Sequence, residues 1–87
     1  MWAMAVTDAE IERARNHLVA WLRYHMTSER IDQQTLAKRL GVSKGLITQW
    51  LTGEGIKGLP GFSSLLAIAR ELDVPLDVLT RRGPPQS

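Results

Sequence analysis

Apolar residues in the first third of the chain recur at three- and four-residue steps, at Ile11, Ala14, Leu18, Trp21 and Leu22. This is the stripe of an amphipathic helix, and it runs to about His25. Thr7-Asp8-Ala9-Glu10 has the capping-box form at its start, where a hydroxyl and a carboxylate each satisfy an orphan amide. Residues Met26 to Ile31 are mostly polar and break the period, and Asp32 is placed to cap a second helix over Gln33 to Leu40. Its buried face is Leu36, Ala37 and Leu40. Gly41 can end that helix in the left-handed conformation, and Ser43 can cap a third helix from Lys44 to Thr52 almost at once. The third helix stops at Gly53, before a glycine-rich loop to Gly61. Ser63 or Ser64 then starts a fourth helix with the stripe Leu65, Ile68, Ala69 and Leu72. Pro75 suits the first turn of a short fifth helix, from which Leu76 and Leu79 fold back onto the core. No β alternation and no repeat is visible. The pattern predicts an all-α, five-helix domain over residues 7–80. An apolar N-terminal arm, Met1 to Val6, precedes it, and a flexible tail, Arg81 to Ser87, follows.

On a helical wheel, the third helix divides in two. Leu46, Ile47, Trp50 and Leu51 fill one arc, and Lys44, Gly45, Thr48, Gln49 and Thr52 fill the other. The first arc anchors the helix on a core and the second offers donors to something outside. No acid lies on the polar arc. Between Gln33 and Gly53 the charged residues are Lys38, Arg39 and Lys44 alone, while the acids gather at Asp8, Glu10 and Glu12 and again at Glu71, Asp73 and Asp77. A positive middle segment matters more here than the net charge of +2, which many proteins with no nucleic-acid partner share. Lys44 attracts phosphates, Gln49 can bond an adenine edge with two hydrogen bonds, and Gly45 lets backbone approach DNA closely. Lys38 and Arg39 read equally well as phosphate contacts or as solubilising charges. Trp21 and Trp50, both on apolar stripes, read as core.

The stretch from Gln33 to Thr52 resembles the twenty-residue helix-turn-helix of the phage-repressor/Cro (lambda-repressor-like) family. The small residue of its first helix is matched by Ala37 and the turn glycine by Gly41. Its apolar positions are matched by Leu36, Leu40, Val42, Ile47 and Trp50. The resemblance extends to two further helices and so covers roughly Ile11 to Thr80. It implies that Gln33 and Gln34 touch the phosphate backbone, and that Ser43, Lys44, Gly45, Thr48 and Gln49 read base edges. Thr52 and, in the following loop, Lys57 join the phosphate contacts. Leu51 stands where the family commonly has a polar residue, and it either packs against Ile56 or Leu59 or touches DNA.

Other classes find little support. There is no cysteine for thiol catalysis, disulfides or thiolate metal sites. His17 and His25 are eight residues apart on one helix, too far to chelate one ion, and no paired carboxylates, nucleophile beside a base or phosphate-binding loop is present. No enzyme, metal, cofactor or small-molecule effector is therefore expected, and no apolar run approaches the length of a membrane span. One inserted helix reads few base pairs, so a homodimer on a near-palindromic operator is expected, joined through helix 5 or the arm Met1 to Val6. The reading is a cytoplasmic repressor, bacterial or phage-encoded. The alternative is an antitoxin-like interaction module that also binds DNA.

Overall fold

Capping chemistry sets most of the helix boundaries in the computed structural model, which describes residues 7–53 and 60–85. Helix α1 (Asp8–Glu29) opens with both halves of the capping box. The Thr7 oxygen accepts the Glu10 amide at 3.1 Å, and the Glu10 carboxylate accepts the Thr7 amide at 2.9 Å. It runs four residues past the His25 end expected from periodicity. Met26 still packs on the core, and Thr27, Ser28 and Glu29 are the exposed side of a continuing turn rather than a loop. What stops it is Arg30, left-handed at φ 55° and ψ 47°, with the Ile31 amide reaching back to the Met26 carbonyl at 3.0 Å.

Helices α2 (Gln33–Leu40) and α3 (Lys44–Thr52) have the predicted bounds. Gly41 closes α2 at φ 74°, the Val42 amide donates to Ala37 at 3.0 Å, and Ser43 already caps α3. A Cβ at Gly41 would meet nothing within 4 Å, so the turn requires glycine for its backbone angle and not for space. Gly53 ends α3 under a different constraint. It is left-handed too, and an added Cβ would overlap the Arg15 guanidinium of α1.

The last two helices begin elsewhere than expected. Helix α4 (Phe62–Leu72) starts before Ser63 and Ser64, from an extended Gly61 that makes no side-chain cap bond. Helix α5 (Leu76–Arg81) leaves Pro75 outside its first turn, as the residue whose carbonyl accepts the Val78 and Leu79 amides at 3.0 and 3.1 Å. Because Pro75 has no amide proton, that position costs it nothing. The helix takes in Arg81, and the Arg82 carbonyl accepts the Trp21 indole N–H at 2.8 Å, so the chain stays fastened to α1 past residue 80.

One core joins all five helices. Leu18, Trp21 and Leu22 of α1 meet Leu36, Ala37 and Leu40 of α2, Ile47, Trp50 and Leu51 of α3, Ile68 of α4 and Leu79 of α5. Helix α1 packs chiefly on α5 and α2 chiefly on α3, with α4 bridging α2 and α5. Leu51 is buried together with Trp21 and Trp50, which settles the border residue: Leu51 is core. A further polar anchor is an ion cluster. Arg39 of α2 pairs with Glu71 of α4 at 3.1 Å and Glu29 of α1 at 3.5 Å, and His25 meets the same Glu71 oxygen at 3.1 Å. Arg39 is thus committed to holding three helices together. The arm Met1 to Val6 and the residues Lys57, Ile56 and Leu59 lie outside the described residues.

Candidate nucleic-acid interface

The surface opposite the buried arc of α3 is laid out by that burial. Ile47 is fully buried and Trp50 nearly so, which turns Lys44, Gly45, Thr48, Gln49 and Thr52 to solvent. Ser43 caps the helix by accepting the Leu46 amide at 3.1 Å, so its hydroxyl proton is the group it has to offer a ligand. The amide end of α3 is polarised positive by the helix dipole and carries Lys44. A phosphate placed there would meet a favourable field.

Helix α2 brings its own N-terminus to the same place. Asp32, Gln33 and Gln34 line a shallow depression of about 440 Å³ together with Lys44 and Thr48. Two residues assigned to phosphate and two assigned to bases are therefore neighbours in space. The link is direct, since the Thr48 hydroxyl donates to Gln33 Oε1 at 2.8 Å and also lies 3.2 Å from the Lys44 carbonyl. With Oε1 occupied, Gln33 presents its NH₂ group, the half suited to phosphate oxygens. Sequence reasoning could place Gln33 and Thr48 on adjacent helices but had no means of pairing side chains fifteen positions apart.

Asp32 is the residue of the site that the sequence placed only as a cap. The segment from Gln33 to Gly53 carries no acid, yet the Asp32 carboxylate just before it lines the basic site. It caps α2 through the Thr35 amide at 2.8 Å. Hydrogen bonds from Thr35, aided by the charge of Lys44, hold it below the usual aspartate range, so it is an anion at neutral pH. Its role as the cap of α2 was the available signal, because a cap necessarily lies at the same end of the helix as Gln33.

The other assigned residues are more scattered. Gln49 is exposed further along α3, outside the depression. The Thr52 hydroxyl donates to the Thr48 carbonyl at 2.9 Å. Lys57 lies outside the described residues. An added Cβ at Gly45 would meet only Ser43 Oγ, at 3.9 Å, so nothing within the protein demands a glycine there. Among the described residues no helix is long and apolar enough to cross a membrane, and no three His, Asp or Glu side chains gather as a metal site.

A family model described as helix-turn-helix matches residues 22–79, from the second half of α1 to the middle of α5. Neither a curated protein nor a solved structure matches the chain.

Proposed function

Because the chain belongs to the helix-turn-helix family of DNA-binding transcription regulators, of the Cro/C1 type, we propose that it is a repressor that binds a near-palindromic operator as a homodimer. In this reading α3 lies in the major groove. Ser43, Lys44, Gly45, Thr48 and Gln49 face base edges, and Gln33, Gln34, Thr52 and Lys57 face the sugar-phosphate backbone. The observation that carries it is the shared depression, where the N-termini of α2 and α3 converge with Lys44, Gln33 and Thr48. Two helix N-termini and a lysine together favour an anion more than any one of them does.

The repressor assignment rests on economy. A helix-turn-helix domain seated on an operator occludes a promoter by its own bulk, and dimeric binding doubles the readout of a helix that discriminates by roughly 1–3 kcal/mol per base pair. The setting proposed is the cytoplasm of a bacterium, with a chromosomal or phage origin. Genomic fragments retained by the purified protein at about 0.15 M salt, where nonspecific binding is weak, should share a motif with two-fold symmetry. Retention without any common motif would refute the reading.

A further inference from the structure

Of the large apolar side chains exposed among the described residues, Tyr24 is accounted for by its edge-on contact with Trp21, ring centroids 6.1 Å apart. The other two are Phe62, 68% exposed, and Leu66, 43% exposed, and they stand four residues apart on α4. Arg70 continues the same line four residues later, exposed and paired with no carboxylate among the described residues. On the wheel these three lie opposite the fully buried Ile68. A phenylalanine this exposed at the head of a helix, with a leucine one turn on, is an unpartnered surface rather than scattered apolar area.

We infer that this face of α4 pairs antiparallel with α4 of a second copy of the chain, about a two-fold axis at Leu66. The inference rests on the homodimeric reading above and names its contact. The stripe is self-complementary in that arrangement and in no parallel one. With Leu66 facing Leu66 of the second copy, Phe62 falls opposite Arg70 of the second copy, and the converse contact repeats across the axis. A guanidinium over a phenyl face is an attractive contact, and it gives the arginine a partner. A parallel pair would instead set arginine against arginine. Antiparallel pairing keeps the two Arg70 side chains about 12 Å apart along the axis, at 1.5 Å per residue. It also sets the helix dipoles head to tail. An eleven-residue helix offers only a small contact, at the transient end of interface sizes, so self-association is weak in solution and strengthened when both copies sit on one duplex.

Sedimentation equilibrium of the full chain without DNA, at about 0.15 M salt and up to hundreds of micromolar, tests the contact. The wild type should show reversible dimerisation. Phe62→Lys should raise the dimer dissociation constant about ten-fold or more by opposing two cations. Adding Arg70→Glu to it should restore association, because the new charges then attract across the axis. Both positions are exposed, and helical circular dichroism confirms that the variants fold. A strictly monomeric wild type overturns the inference, as does a Phe62→Lys protein that dimerises normally or a double variant that is not rescued. Self-association lost in Trp2→Ser and kept in Phe62→Lys assigns the contact to the N-terminal segment and likewise overturns it. Binding of the same proteins to a mixed-sequence duplex at low salt is the separate test of the DNA reading. Its absence would refute that reading while leaving the sedimentation result to judge the α4 contact.

Discussion

Gly45→Ala separates what α3 needs to fold from what it needs to bind. The new methyl would meet nothing closer than Ser43 Oγ at 3.9 Å, so the folded protein accommodates it without strain. Glycine inside a helix costs roughly 0.5–1 kcal/mol relative to alanine, chiefly through the entropy of the unfolded chain. Removing that cost should raise the melting temperature by roughly 2–8 °C for a domain of this size. On DNA the effect should have the opposite sign. If the first turn of α3 approaches the duplex with its backbone, a methyl there pushes the helix outward and draws Lys44 and Thr48 away from the DNA. Losing about 1.4 kcal/mol of contact weakens binding ten-fold. Thermal circular dichroism and fluorescence anisotropy on one retained genomic fragment measure the two effects on one preparation. A more stable protein with undiminished affinity would show that Gly45 does not approach DNA. A less stable one would show that the local helix geometry is wrong.

Three other outcomes follow from particular contacts. Asp32→Asn keeps an equally good cap on α2 and removes the anion from the basic depression. Affinity for mixed-sequence duplex at low salt should rise a few-fold, with at most a small drop in melting temperature from losing the stabilised anion, and a fall in affinity would contradict the placement of Asp32. Burial alone would push the Glu71 carboxyl up, but hydrogen bonds from His25 and Arg39 outweigh it and hold it below the ordinary glutamate value. A lowered carboxylate stabilises the fold above its unfolded pKa, about 4.3, and the benefit disappears as pH falls through the lower folded value. Glu71→Gln should therefore cost about 1 kcal/mol near neutrality and flatten the loss of stability below pH ~4.3. Denaturant titration as a function of pH would show it, and an unchanged acid limb would refute it. Trp21→Phe removes the indole N–H that holds the Arg82 carbonyl at 2.8 Å. A loss of about 1–2 kcal/mol should come with faster amide exchange in α5 than in α2, and uniform acceleration would argue against a local tether.

The sequence disclosed α2 and α3 to the residue because each boundary carries its own chemistry: Asp32 and Ser43 as caps, Gly41 and Gly53 as left-handed ends. The reading failed where the boundary chemistry is unusual. Helix α1 ends on a left-handed arginine, a choice that backbone sterics discourage and that capping rules do not anticipate. Helix α4 begins on a glycine with no capping side chain, while two serines just inside it offered a better signal. Within the site, the division of α3 into two arcs followed from periodicity alone. The Thr48–Gln33 bond, the placement of Asp32 beside Lys44 and the commitment of Arg39 to Glu71 did not. Each depends on how two helices pack, which separations of twelve to thirty-two residues along the chain do not encode locally.

The central claim is that DNA docks on the joint N-terminal face of α2 and α3. Titrating the isotopically labelled protein with duplex and following backbone amide resonances tests it directly. Shifts should concentrate at Gln33, Gln34 and Lys44 to Gln49, with the outer face of α1 at Glu12, Arg13 and Asn16 unmoved, and should diminish as salt is raised. Shifts centred on α1 and α5, with Lys44 to Gln49 silent, would contradict it.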